Sequence, residues 1–141
     1  MPFPLLIQPN RRQRMNGFTM IELLVVLVLL GAISTMVVPQ LWGQYSRFTQ
    51  QQQVERFWGK VRDKAVLLRK HGESFVFDYQ NPKWQELASQ YKLHLKASDN
   101  IVVRADGFTA GGAINLSIIA QDIDWVIQVR TPDGTVNIAR Q

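Results

Sequence analysis

The chain has 141 residues, which is enough for one domain of ordinary size. An apolar content of 46% and an aromatic content of 10% exclude a disordered chain. The absence of cysteine excludes a disulfide framework and a thiolate metal site.

The positive charge is unevenly distributed along the chain. Arg11, Arg12 and Arg14 supply three of its sixteen basic residues. From Pro39 onward there are thirteen Lys or Arg and ten Asp or Glu, a net charge of +3. This mildly basic mixture favours an ordinary solvated surface over a nucleic-acid-binding one.

A long apolar segment follows the three arginines. The 21 residues from Phe18 to Val38 would span about 31 Å as a helix, close to the thickness of a bilayer core. No basic residue occurs within this segment or after it until Arg47. The positive-inside rule therefore predicts a transmembrane helix over 18–38, with residues 1–17 in the cytoplasm and the rest of the chain outside.

Two simpler interpretations of the segment are a plain membrane anchor and a secretory signal with small residues at Ala32 and Ser34 before a cut. Neither of them needs Glu22, because a carboxylate inside an apolar helix costs about 2.5–3.5 kcal/mol. Snorkelling toward the nearby interface would lower that cost. A partner for the charge of Glu22 is the better explanation.

The residues around this glutamate resemble the prepilin signature. The run from Gly17 to Val25 reads GFTMIELLV, with Met20 where leucine is more usual. The resemblance implies cleavage by a prepilin peptidase after Gly17, a leader over 1–17 and N-methylation of the new Phe18 terminus. Pro39 stands where this family usually has a helix-kinking proline.

The charge chemistry fits this resemblance to pilins. Cleavage would give Phe18 a terminal amine that is positively charged near neutral pH. In a filament of staggered helices, Glu22 of one subunit would meet the Phe18 amine of a neighbour, and the pair would be tolerated where each charge alone is costly. The predicted role of Glu22 is subunit registry rather than catalysis.

A helical period continues after Pro39 and predicts an amphipathic helix over 39–71, outside the membrane. His71-Gly72 is predicted to end it, with glycine as the left-handed cap. The aromatic members of its apolar stripe are interpreted as core residues. The predicted stripe comprises Leu41, Tyr45, Phe48, Gln51, Val54, Trp58, Val61, Ala65 and Leu68.

The remaining residues, 72–141, predict a β-rich head, so that the fold class is α+β with a long N-terminal helix packed on a mostly antiparallel sheet. Asn81-Pro82 is predicted to start a short helix over Lys83 to Tyr91, and Pro132-Asp133-Gly134 is predicted to close a hairpin. The predicted strands are Ser74–Tyr79, Lys92–Lys96, Ile101–Arg104, Ala113–Ala120, Trp125–Thr131 and Thr135–Arg140.

The C-terminal half resembles the GspH/FimT family of minor pseudopilins and minor pilins. The features that carry this resemblance are Gly107-Phe108, Gly111-Gly112, an apolar strand and a closing hairpin with Asp133-Gly134. Where that family often has Gly-Arg in the last hairpin, this chain has Gly134-Thr135.

No catalytic constellation is found in the sequence, and neither an enzyme activity, a cofactor nor a metal is expected. His71 and His94 are the only histidines and are interpreted as solvated or structural. Asp122 and Asp124 fall short of the six to eight oxygen ligands of a calcium site and predict a polar turn.

The sequence therefore predicts a minor pseudopilin of a type II secretion system or a minor pilin of a type IV pilus. Its expected partners are other pilins or pseudopilins, prepilin peptidase, an inner-membrane assembly platform and the lipid bilayer. One alternative is a DNA-binding minor pilin of a competence apparatus; another is an anchored domain that does not polymerise. The basic surface that DNA binding would need comprises Arg104, Arg130 and Arg140, with Lys92 and Lys96.

Overall fold

The computed structural model describes residues 1, 2, 4 and 17–141. Arg11, Arg12 and Arg14, together with most of the predicted leader, lie outside the described residues. The chain forms two compact units, Met1–Leu41 and Trp42–Gln141.

The described residues form two helices and seven strands. Helix α1 (Met20–Lys70) is followed by β1 (Phe75–Phe77) and by helix α2 (Pro82–Gln90). The remaining strands are β2 (Leu93–Ser98), β3 (Ile101–Val103), β4 (Thr109–Ala110), β5 (Gly112–Ile118), β6 (Ile123–Val129) and β7 (Val136–Arg140).

The strands form two antiparallel sheets. The smaller sheet has the order β1-β3-β4, and the larger has the order β2-β5-β6-β7. In the larger sheet Leu116 is paired with Leu95 on one side and with Trp125 on the other. The predicted α+β class, with a long N-terminal helix and antiparallel sheets, is confirmed; the division into two sheets and the short strand β4 were not predicted.

The end of α1 is fixed by a Schellman motif. Gly72 adopts a left-handed conformation with φ of 74°. Its N–H donates to the carbonyl of Arg69, and the N–H of Glu73 donates to the carbonyl of Leu68, each over 3.0 Å. The predicted stop at His71-Gly72 is therefore confirmed.

Helix α2 begins where the Asn81-Pro82 pair predicts it. The Asn81 side chain accepts a hydrogen bond from the Lys83 N–H over 3.1 Å, and Pro82 occupies the first helical position. The helix buries Trp84 and Ala88. Trp84 packs edge-on against Phe75, with ring centroids 5.7 Å apart.

One hydrophobic core joins the second half of α1 to both sheets. From α1 it receives Val54, Phe57, Val61 and Ala65, spaced by three and four residues as one helix face requires. The alternating residues of the long strands supply most of the rest: Leu93, Leu95, Ile114, Leu116, Ile118, Trp125, Ile127 and Val129. Burial alternates along these strands because successive side chains point to opposite faces of a sheet.

The predicted stripe of α1 is wrong over its first part. Tyr45 and Phe48 were interpreted as core residues, but they are 67% and 60% exposed. The predicted stripe connected Phe48 to Val54 through Gln51, with two spacings of three residues. Each spacing of three rotates about 60° less than a full helical turn. The stripe therefore left the core-facing side of the helix, and it missed Phe57, which is fully buried.

Gln50 is the first buried residue of this helix face. Its side chain is 4% exposed, and its amide nitrogen donates to the Gln121 side-chain oxygen in the turn between β5 and β6. The same nitrogen lies 3.2 Å from the Ser46 hydroxyl. Gln51, the predicted polar member of the stripe, is exposed instead.

The turn between β6 and β7 also connects the two sheets. The Gly134 N–H donates to the Arg130 carbonyl within the turn. The Thr109 N–H of β4 donates to the Pro132 carbonyl, and the Gly111 N–H donates to the Thr131 hydroxyl. The predicted Pro132-Asp133-Gly134 hairpin is thus present and is fastened to the smaller sheet.

Candidate functional site

The first half of α1 presents an almost wholly apolar surface. An 18-residue window of this helix has a mean hydropathy of 2.6 and no buried residue, so that it is long and apolar enough to cross a membrane. Its large side chains are open, as at Leu24 (60% exposed) and Val28 (62% exposed). Contiguous apolar surface of this extent indicates contact with lipid or with another chain.

Two hydroxyls of this segment are hydrogen-bonded within the helix. The Ser34 hydroxyl donates to the Leu30 carbonyl over 2.7 Å, and the Thr35 hydroxyl donates to the Ala32 carbonyl over 2.8 Å. Hydroxyls bonded in this way do not present an unpaired donor to an apolar environment. The segment is therefore compatible with hydrocarbon surroundings at Ser34 and Thr35.

Gly17 and Phe18 lie in non-helical chain just before α1. Phe18 is 83% exposed, and no described residue other than its chain neighbours has an atom within 4 Å of the position that a Cβ on Gly17 would occupy. The bond between these two residues is therefore open to a peptidase. This places the predicted cleavage site in chain that needs no helix unwinding before it is cut.

Thr19 caps the helix that follows. Its hydroxyl accepts a hydrogen bond from the Glu22 N–H over 3.3 Å, and its carbonyl accepts one from the Leu23 N–H over 3.1 Å. The spacing Thr19-x-x-Glu22 is that of a capping box. The sequence interpretation did not identify this cap, although the Thr-x-x-Glu signal was present.

Glu22 therefore lies in the first turn of α1. A carboxylate at this end is favoured by the helix dipole, which is worth about 0.3–1 kcal/mol. Among residues 17–141 no basic side chain lies within ion-pair distance of Glu22. The dipole alone does not offset the cost of about 2.5–3.5 kcal/mol for a charge in hydrocarbon, so that an external cation would add stability.

Pro39 lies inside α1, which is helical on both sides of it. Proline removes one backbone hydrogen bond from a helix interior, and a kink at Pro39 stays a prediction.

Two of the predicted basic residues of the head, Arg130 and Arg140, lie far apart along β6. Arg140 is paired with Trp125 near the start of β6, whereas Arg130 follows the end of that strand. Arg104 forms an ion pair with Asp106 over 3.1 Å, and its guanidinium lies over the Phe108 ring. Arg130 and Arg140 therefore lie at opposite ends of the β6–β7 hairpin.

Lys96 forms ion pairs with two neighbouring carboxylates. Its ammonium lies 2.6 Å from Asp124 and 3.8 Å from Asp122. The hydrogen bond to Asp124 raises the pKa of Lys96, with a smaller electrostatic contribution from Asp122. Asp122 lies in the predicted turn, before β6, whereas Asp124 belongs to β6 and Lys96 to β2. Within residues 17–141 no group of three metal-ligating side chains comes together.

A groove between α1, β1 and α2 forms a concave surface on the head. It encloses about 520 Å³ and is lined by apolar side chains, three lysines and the carboxylate Glu86. His71 lies elsewhere, at the end of α1, where its Nδ1 is 2.8 Å from the Leu67 carbonyl. The groove lining therefore contains no histidine that could serve as a general base.

Comparison with known proteins assigns a class to the N-terminal segment. Residues 12–38 match the family model described as the prokaryotic N-terminal methylation motif. This match covers Gly17, Phe18 and Glu22. With the long apolar helix and the antiparallel sheets, it defines a pilin-like chain that carries a prepilin-type methylation motif.

One related protein is also similar to part of the chain. The chain is similar to the type II secretion system core protein G of Aeromonas hydrophila, with 41% identity over 44 residues. The matched segment is 31% of this chain and 31% of that protein, less than a third of either. No solved structure matches the chain significantly.

Proposed function

We propose that this chain is a non-enzymatic structural subunit of a filament, either a minor pseudopilin of a type II secretion system or a minor pilin of a type IV pilus. The observation that carries the proposal is the coincidence of the methylation motif with a capped helix start. Glu22 is covered by the matched residues 12–38 and lies in the first turn of an exposed apolar helix, which supports the proposal. The GspH/FimT resemblance of the C-terminal half supports the minor subtype.

Processing would take place at the inner membrane. A peptidase on the cytoplasmic side cleaves after Gly17, and Phe18 becomes the N-methylated terminus of the mature chain. Residues 18–38 hold the chain in the bilayer with the head on the periplasmic side. The openness of the Gly17–Phe18 bond and the apolar surface of α1 support this sequence of events.

Assembly would then use the pairing of Glu22 with a neighbour's Phe18 amine. Glu22 has no cation among the described residues, and a cleaved neighbour supplies one. Removing one partner of such a buried pair costs about 3–5 kcal/mol, enough to decide whether a subunit enters the filament. The other pilins and the inner-membrane assembly platform are the partners in this step.

DNA uptake is the less favoured function. It would need a shared basic surface, whereas Arg130 and Arg140 lie at opposite ends of a hairpin and Lys96 is paired with Asp124. A net charge of +3 from Pro39 onward also gives little counterion release.

The cleavage site is tested by mass spectrometry of the protein extracted from membranes. We expect an N-methylated terminus at Phe18. Gly17→Val should leave the precursor uncleaved in the membrane, while the control Gly31→Ala, also in open surroundings, should be processed normally. A chain that keeps its leader in the wild-type protein, or begins at Thr35, would contradict the proposal.

Assembly is tested with Glu22→Gln, which keeps the size of the side chain and removes its charge. We expect normal insertion and cleavage, but loss of crosslinks to partner pilins and loss of secretion or piliation in a deletion strain. Glu55→Gln is the matched control, because Glu55 is an exposed carboxylate on the same helix. Full complementation by Glu22→Gln would refute the registry role.

A further inference from the structure

Three aromatic side chains on α1 are exposed without belonging to the head core. Trp42, Tyr45 and Phe48 are 73%, 67% and 60% exposed. The rings of Trp42 and Tyr45 lie together, with centroids 6.5 Å apart. We call these three residues the aromatic patch. Large exposed aromatic rings grouped on one side of a helix indicate a contact surface.

The aromatic patch lies on the side of α1 opposite to the head core. At about 100° per residue, Tyr45 is about 180° around the helix from Val54. Phe48 and Trp42 each lie about 120° from Val54, on either side of Tyr45. Since Val54 is fully buried against the sheets, the patch faces away from them. The head therefore cannot cover these rings.

The position of the patch along the chain points to its occupant. The 24 residues from Leu23 to Ser46 carry no charged side chain and would extend about 36 Å as a helix. A bilayer is about 30 Å thick in its hydrocarbon core and about 40–45 Å with its headgroups. The uncharged segment is therefore about 6 Å longer than the hydrocarbon core, and Trp42 and Tyr45, near its end, extend toward the outer headgroup layer.

The residue types fit that layer. Tryptophan and tyrosine combine an apolar ring with a polar N–H or O–H and concentrate at membrane–water interfaces. Arg47, the first charged residue after Glu22, lies between Tyr45 and Phe48 in the chain. A neighbouring apolar helix would not require the polar ring edges, whereas headgroups and interfacial water bond to them.

We propose that the aromatic patch is an interfacial anchor that binds the outer-leaflet headgroup layer of the membrane before the subunit enters a filament. The proposal rests on the membrane insertion proposed above. The patch would be a second membrane attachment, in addition to the transmembrane segment. It would orient this part of α1 with the aromatic side chains toward the lipid and the core-facing side toward the head.

The test uses the full chain reconstituted in vesicles of phosphatidylethanolamine and phosphatidylglycerol. Because the chain has no cysteine, single cysteines carry an environment-sensitive dye without further changes. The sites are Tyr45→Cys in the patch, Arg47→Cys about 160° from the centre of the patch at similar depth, and Val28→Cys in the apolar segment. Quenchers are lipids with a nitroxide on the headgroup or deep in the acyl chain, and aqueous iodide.

We expect loss of fluorescence from Tyr45→Cys with the headgroup nitroxide, from Val28→Cys with the deep nitroxide, and from Arg47→Cys with iodide. Replacing Trp42 and Phe48 by serine in the Tyr45→Cys chain should transfer its quenching to iodide and leave Val28→Cys quenching unchanged in the same background.

The controls separate the two proposals. A Val28→Cys dye that escapes the deep nitroxide would refute membrane insertion and the anchor with it. A Val28→Cys dye in lipid beside a Tyr45→Cys dye as open to iodide as that of Arg47→Cys would overturn the anchor alone. A Tyr45→Cys dye shielded from every quencher, with crosslinking to a second copy, would also overturn it, because another chain would then cover the patch.

Discussion

Phe57 should contribute far more to the stability of the head than Phe48, although both are phenylalanines on α1. Phe57 is fully buried among the core residues of both sheets, whereas Phe48 is 60% exposed. Truncating a fully buried phenylalanine costs about 3–5 kcal/mol, because apolar contact is lost and a cavity remains. An exposed substitution usually changes stability by about 0.5 kcal/mol or less. We therefore expect Phe57→Ala to remove a large part of the 5–15 kcal/mol typical of a domain.

The measurement is urea unfolding of a head fragment that begins at Gln44. Trp84 and Trp125, which are 9% and 5% exposed, report the loss of the core through their fluorescence. Phe57→Ala should lower the urea midpoint strongly at an unchanged slope, and Phe48→Ala should leave it close to that of the unaltered fragment. Equal shifts for the two variants, or a larger one for Phe48→Ala, would refute the assignment of the core-facing side of α1.

The remaining predictions concern Gly111, Gly59 and Asp133. Gly111→Ala should destabilise the head by several kcal/mol, because its Cβ would lie 2.0 Å from the Val129 carbonyl oxygen. Gly59→Ala should instead gain up to about 1 kcal/mol of helix propensity in the same urea assay, because among the described residues only its chain neighbours and its own helix backbone lie within 4 Å of the new Cβ. Hydrogen bonding from the Thr135 N–H lowers the pKa of Asp133. The contribution of the Asp133 carboxylate to hairpin stability is therefore present above the ordinary pKa of an aspartate. It is lost as the pH falls through the lowered pKa, below about pH 4. The Thr135 amide resonance should report this change in an NMR titration, and its persistence in Asp133→Asn would contradict the assignment.

Much of the fold could be predicted because it depends on local signals. Gly72 supplies the left-handed residue that ends α1, and Asn81-Pro82 supplies the cap and first residue of α2. The strict alternation around His94 marks β2, where Leu93 and Leu95 are buried and His94 is exposed. Each of these features is decided within a few residues, so that no knowledge of distant contacts is required.

The parts that were missed depend on distant contacts. Strand β4 has two residues and exists through its pairing with β3 and its hydrogen bond from Thr109 to Pro132. The core-facing side of α1 is selected by the sheets, and an apolar stripe alone does not separate Phe57 from Phe48. Contacts with the sheets determine which side of α1 packs in the core, because the two sides are similarly apolar in sequence.

The candidate site was predictable for a different reason. Gly17, Phe18 and Glu22 are recognised by their order in the chain, and the matched methylation motif covers all three. Their roles in cleavage, methylation and pairing stay predictions. The aromatic patch could not be assigned from the sequence, since its exposure follows from which side of α1 the sheets occupy.

The buried Gln50 amide limits how the head can be mounted on its helix. Apolar side chains such as Val54 and Val61 would still meet apolar partners if α1 slid along the sheets by one turn. The Gln50 amide would not, because its partner Gln121 sits at a single height in the turn between β5 and β6. A slide by one turn would leave two amides without each other and bring Val54 or Ser46 opposite Gln121. The hydrogen bond between Gln50 and Gln121 therefore favours one axial position of the head along α1.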